Sequence, residues 1–313
     1  MLDRFDAMTF LPTQIEEEPA TGEVFHYTSA DVAISNILAT GTLRLSPMHS
    51  TNDPWESEPI YTGFSLVDPE DEKQFDGDRF RAATKEIDHH IRLRSKVLCL
   101  TRDWGQGLPR FEGERRGWRH LSSWAHYGGG HAGVCMGFDL EKLHEAFEKV
   151  GGSDDLRVSG PISYWRGPRA PFLDSIDTSH LIRYGTDAVA RHYAEVFKKQ
   201  IFLSKHADWS AEYEYRFALM NQSTLPEYID ISDALTCVFL GHSFPDWKLP
   251  SLHEALSKFG NIDINRMRYH NRTVQALPPG EPEVAGTAFP PTEGGSLMER
   301  VDALAGEAKY HVQ

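Results

Sequence analysis

Charged and aromatic side chains alternate in one short stretch, Trp209-Ser-Ala-Glu-Tyr-Glu-Tyr-Arg-Phe217, from Glu212 onward. Alternate side chains of a strand point to opposite faces. The pattern therefore predicts Glu212, Glu214 and Arg216 on one face and Tyr213, Tyr215 and Phe217 on the other. Two carboxylates so placed repel each other and make a poor strand surface. A site that needs fixed negative charge would justify them, with the aromatic face anchoring the strand. The plain alternative is a surface strand whose glutamates pair with Arg216.

Three further groups combine polar and aromatic residues at strand ends or turns, where sites usually lie. They are His26-Tyr-Thr-Ser29, Asn52-Asp-Pro-Trp-Glu56, and Trp124-Ala-His-Tyr127 with His131. Each alone reads equally well as structure: a capped strand end, a proline turn, an aromatic core cluster. Other apparent motifs fail on context. Gly128-Gly-Gly130-His-Ala-Gly133 has G-x-G-x-x-G spacing, but an apolar strand follows it where a dinucleotide fingerprint needs a helix. Gly241-His-Ser-Phe-Pro245 lacks the last glycine of a nucleophile elbow. His120, His126 and His131 match no zinc spacing, which makes them structural or surface histidines.

Elements to position these groups are readable from periodicity and caps. Glu23–Thr28 is a strand, followed by a helix capped by Ser29, burying Ala33, Ile34, Ile37 and Leu38 and stopped by Gly41. Residues 42–45 form a strand, and a helix from near Asp78 places Phe80, Ala83, Ile87 and Ile91 on one side. Strands are expected at 96–101, 133–139 and 234–241. Helices are expected on Leu140, Leu143 and Phe147, over 186–202, and on Leu252, Leu256 and Phe259. The irregular interleaving points to an α+β fold, and not to a doubly wound sheet.

The chain has 313 residues and a net charge of −14, with 46 acidic and 32 basic residues. That balance disfavours a dedicated DNA-binding protein. No apolar run reaches the ~18 residues of a membrane span, so no membrane association is expected. The acidic N-terminus does not resemble a secretory signal, and a cytoplasmic location follows. Cys99, Cys135 and Cys237 lie far apart in apolar runs and read as three buried thiols in a reducing compartment. The expected organisation is an N-terminal extension (1–20), one main domain (21–277), a Pro/Gly-rich linker (278–295) and a C-terminal helix (296–313). That helix opens with the capping box Ser296-Leu-Met-Glu299 and either docks on its own domain or contacts a partner.

Taken in order, "FHYTS…ILATGTLRLS…NDPWE", "VLCLT…SWAHYGGGHAGVCMGFD" and "SK…WSAEYEYRF" resemble an uncharacterised bacterial domain family. Its members carry H-Y-[ST], N-D-x-x-E, W-x-x-Y-x-x-x-H-x-G-x-x-x-G-F and W-x-x-E-x-E-x-R. The likeness runs from about Val24 to Leu219, and that family in turn resembles the ADP-ribosyltransferase superfamily. The resemblance implies a split β-sandwich of mostly antiparallel strands, in two packed sheets flanked by helices, with NAD as substrate in a cleft. It implies transfer of ADP-ribose to a protein, nucleic acid or small acceptor, by a bacterial toxin or phage-defence effector. Glu214 would be the catalytic carboxylate, Glu212 the acceptor-side group, and His26 a catalytic and NAD-binding residue. Tyr27, Thr28, Arg44, Thr101, Trp124, Tyr127 and Arg216 would complete the NAD site. Two rivals are a hydrolase or nuclease using His26, Glu212 and Glu214 without NAD, and an inactive binding module of the same fold.

Overall fold

A computed structural model describes residues 22–57, 63–65, 77–103, 116–166, 175–270 and 273–279. The N-terminal extension, the C-terminal helix and nearly all of the linker expected from the sequence lie outside these residues.

The chain begins with β1 (Glu23–Thr28), then α1 (Ala30–Val32), which continues as a π-helical turn through Leu38. The Ser29 hydroxyl caps this helix by accepting from the Val32 amide, a contact worth about 1 kcal/mol. β2 (Thr42–Pro47), α2 (Pro54–Ser57), β3 (Phe64–Ser65) and α3 (Gly77–Arg94) lead to β4 (Ser95–Arg102). Next come α4 (Leu121–His126), β5 (Val134–Asp139), α5 (Leu140–Phe147), β6 (Leu156–Pro161), β7 (Ser163–Trp165) and β8 (Ile176–Asp177). The helix expected over 186–202 is two elements, α6 (Thr178–Val196), kinked at Gly185, and α7 (Lys198–Phe202). β9 (Ser204–His206), β10 (Glu214–Met220), β11 (Glu227–Asp230) and β12 (Leu235–Leu240) follow. α8 (Leu249–Leu256), β13 (Asp263–His270) and β14 (Thr273–Leu277) complete the described chain.

The fold is α+β, with a mixed and mostly antiparallel sheet. Ten strands join one hydrogen-bonded network, beside two small two-stranded sheets. The reason is β4, which has three strand neighbours. One edge pairs with β10 from Ser95 to Thr101. The other edge pairs with β2 at Lys96 and Val97, and with β1 at Thr101 and Arg102. Between those two short pairings, Leu98, Cys99 and Leu100 have no strand partner on that side. The sheet therefore has an internal gap where β1 and β2 part from β4.

β10 is buried at every position, as a central strand should be. Tyr215, Phe217 and Leu219 join the core formed with α1, α5 and α8. Ala218 and Met220 join the core under α3, α6 and α7. A smaller cluster of Phe25, Tyr27, Trp124, Cys135, Phe239 and Met267 closes the β1 end of the gap. The loop after α4 packs against that end. A side chain at Gly133 would lie 2.1 Å from the Thr28 carbonyl oxygen, so only glycine allows this approach. Among the described residues no helix is long and apolar enough to cross a membrane.

Candidate functional site

The gap in the sheet opens as a cleft of about 240 Å³. His26 and Tyr27 enter it from β1, Arg44 and Ser46 from β2, and Cys99 and Thr101 from β4. Asn52 and Glu56 come from the turn around α2, Tyr127 from the end of α4, and Lys205, Glu212 and Glu214 from the β9–β10 region. Seven of the sequence-predicted residues thus converge: His26, Tyr27, Arg44, Thr101, Tyr127, Glu212 and Glu214.

Glu214 opens β10 directly opposite Thr101 and is 3% exposed. Burial opposes its ionisation, but the Arg216 guanidinium and the Lys205 ammonium outweigh it and hold the carboxyl at about 2. Arg216 Nε donates to Oε1 at 2.6 Å, and Lys205 Nζ donates to Oε2 at 3.2 Å. Lys205 also donates to Glu212 Oε2 at 2.7 Å and lies 4.7 Å from the Trp209 ring centroid. The other Glu212 oxygen accepts from the Tyr127 hydroxyl at 2.5 Å. Burial and that carboxylate push the Tyr127 pKa up, so the phenol stays protonated. Burial works against the charge on Lys205, yet the two glutamates win and raise its pKa. Arg216 completes the chain of charges by meeting Glu56 Oε1 at 2.5 Å. Three carboxylates thus share two cations, and the cluster keeps a net negative charge.

The alternation read from Glu212 as one strand face needs correction. Ala207–Glu212 is a 3-10 turn, and Tyr213 takes a left-handed conformation with φ 46°. The strand starts only at Glu214. Across this turn both glutamates still reach the same lysine. Tyr213 is not part of the aromatic face, and its ring meets His120 edge-on. Cys99 is a second correction, because it is exposed and not a core thiol. It lies where no strand covers β4 on the gap side. Crowding by surrounding protein, with the nearby Glu214 charge, still raises its pKa well above that of a free thiol.

His26 is half-buried, and its Nδ1–H donates to the Cys99 carbonyl at a long 3.4 Å. Burial lowers its pKa, which favours neutral imidazole with Nε2 left as an acceptor. Tyr27 contributes a ring wall, but its hydroxyl donates to the Gly117 carbonyl and its ring packs edge-on against Trp124. Arg44 is exposed at the mouth, with Nε donating to Ser46 Oγ at 3.3 Å.

Three predicted contacts lie elsewhere. Trp124 is fully buried in the core and donates its indole N–H to the Trp118 carbonyl. Arg216 is fully buried behind Glu214, where it fixes the carboxylates. Thr28 is buried at the end of β1, outside the cleft lining. Lys205 and Glu56 line the cleft but were assigned no role from sequence. Glu56 was marked only as part of the Asn52–Glu56 group, and the signal for Lys205 was the demand that two neighbouring carboxylates find a counter-ion.

Residues 123–217 match the model of a family described as protein of unknown function (DUF2971). The match supports an uncharacterised domain family for this segment, which contains Tyr127, Lys205, Glu212 and Glu214 but neither His26 nor Glu56. No curated protein and no solved structure matches the chain.

Proposed function

We propose that the cleft binds NAD and transfers its ADP-ribose to an acceptor. One observation carries the reading: a buried glutamate, held ionised, stands at an internal gap of the sheet beside His26, Thr101 and Tyr127. Cleaving the nicotinamide–ribose bond sends the bonding electrons out with nicotinamide and builds positive charge at the ribose C1′. A fixed carboxylate stabilises that charge with no reorganisation. Glu214 has this role. Glu212, the more exposed of the pair, sits beside the Tyr127 hydroxyl and orients the acceptor. The acceptor heteroatom bonds to C1′, and its proton leaves to Glu212 or solvent. His26 Nε2 accepts from a ribose hydroxyl or the carboxamide, and Arg44 meets the diphosphate at the mouth. In this reading the gap corresponds to the cleft of an ADP-ribosyltransferase-like split β-sandwich. An action as a toxin or phage-defence effector belongs to the same proposal.

The acid–base hydrolase reading fits less well. A carboxyl held at about 2 between two cations gives up its proton long before neutral pH and does not take it back. The test is nicotinamide release and ADP-ribose transfer by the purified protein. Glu214→Gln is expected to cut both by roughly 100- to 1,000-fold. Glu212→Gln is expected to keep much of the slow hydrolysis while losing transfer by at least roughly 100-fold. Equal and mild effects of the two substitutions would refute these roles.

A further inference from the structure

The cleft holds a third carboxylate, and it is the one with an open oxygen. Glu212 accepts from Tyr127 on one oxygen and from Lys205 on the other. Glu214 accepts from Arg216 and Lys205 in the same divided way. Glu56 is 8% exposed and lines the same cleft, with Oε1 against Arg216. Neither oxygen has a protein hydrogen-bond partner among the described residues; Oε1 is met by the Arg216 charge, and Oε2 by no cation either. Buried polar atoms in native proteins are nearly always paired, and an exception calls for a partner that the fold itself does not supply.

Its backbone is not that of a loose loop. The Glu56 amide donates to the Asp53 carbonyl at 3.0 Å, which starts the short helix α2. The Glu56 carbonyl accepts from Arg92 Nη1 at 3.0 Å, and Arg92 is fixed by Asp88 at 2.7 Å within α3. Arg216 then sets the side-chain angle from the opposite side. The residue is held in place by two anchored arginines, and it lines the cleft with this oxygen buried and unpartnered.

We propose that Glu56 Oε2 is a ligand-binding acceptor, taking a hydrogen bond from an O–H or N–H of the molecule bound in the cleft. Arg216 is its positioning residue and ties it to Glu214. The identity of the ligand rests on the NAD reading above. In NAD the donor is either a hydroxyl of the nicotinamide-side ribose or the carboxamide N–H₂.

Calorimetric titration of the full chain with NAD and two kinds of analogue tests this. One analogue carries an acetyl group in place of the carboxamide, and the others lack the 2′- or 3′-hydroxyl of that ribose. In Glu56→Gln the side-chain oxygen keeps the Arg216 contact, while an N–H₂ replaces the open acceptor. NAD affinity is expected to fall roughly 10- to 100-fold, the strength of a charge-assisted hydrogen bond. The wild-type protein should lose a similar factor with the one analogue that lacks the partnered donor. Glu56→Gln should lose nothing further with that analogue. This coupling is one that a merely structural role would not produce. It also tells the carboxamide from the hydroxyls. If wild type binds NAD and Glu56→Gln binds it within twofold, or if the losses multiply for every analogue, the proposal is overturned while the NAD reading stands. If wild type binds no NAD, both fall, and this shows before any variant is made. Should Glu56→Gln fail to fold, Glu56→Asp carries the same cycle, because it keeps the charge and withdraws the reach.

Discussion

Replacing Lys205 with methionine removes the cation shared by Glu212 and Glu214 while nearly preserving side-chain length. The lysine is 7% exposed at its side chain, and its ammonium lies 2.7 Å and 3.2 Å from the two carboxylates. At an effective dielectric near 20, attraction across 3.2 Å is about 5 kcal/mol. The cost of burying the ammonium offsets part of this, and breaking a buried pair from one side typically costs roughly 3–5 kcal/mol. The pH dependence gives the sharper signature. Glu214 titrates at about 2 in the fold against an ordinary value of 4.5. Its ionised form therefore stabilises the protein fully above about pH 4.5, and that contribution is lost as pH falls toward 2. At 1.36 kcal/mol per pKa unit it amounts to about 3 kcal/mol. Without Lys205 the Glu214 pKa rises, so the variant has less to lose on acidification. Urea unfolding across a pH series should show a wild-type advantage of several kcal/mol near pH 7 that shrinks between pH 4.5 and 3. A pH-independent difference below about 1 kcal/mol would refute the reasoning, because it would class the bridge with exposed ion pairs.

Arg216→Lys should destabilise the fold by roughly 2–4 kcal/mol in chemical denaturation, because one ammonium cannot serve Glu214, Glu56 and the Phe202 carbonyl together. An unchanged midpoint would show that the guanidinium fork is not needed. His120, buried with its pKa lowered to about 4, should titrate by NMR near that value. Its neutral form stabilises the fold fully above about pH 6.5, and the contribution disappears as pH falls through 4, so a normal titration near 6.5 would contradict its burial.

Much of the framework was legible because local signals agreed there. The β1 limits follow from its apolar run and the Ser29 cap, and β4, β5 and β12 follow from uninterrupted apolar stretches. The strands missed include β6, β11, β13 and β14; in the last two, Asp263–His270 mixes charged residues into its alternation and Thr273–Leu277 runs into proline. The site was readable as a set of residues but not as a geometry. The pattern from Glu212 to Phe217 continues through a point where the backbone turns left-handed at Tyr213, and nothing about tyrosine signals that turn. Which of the cleft carboxylates keeps an open oxygen depends on partners from β9, β10 and α2, set by tertiary packing alone. The gap itself comes from β4 pairing with two different strands along one edge, a property of topology that no local pattern encodes.

The chain of charges from Glu212 through Lys205, Glu214 and Arg216 to Glu56 also constrains how such a sequence can drift. Each interior member is shared by two neighbours, so a single replacement leaves a largely buried charge without its partner. A tolerated path changes partners together: an arginine lost with a glutamate, or a lysine lost with one of its two carboxylates. Among diverging copies of this domain, positions 56, 205, 212, 214 and 216 are therefore expected to vary as a linked set, although they span 161 residues of chain.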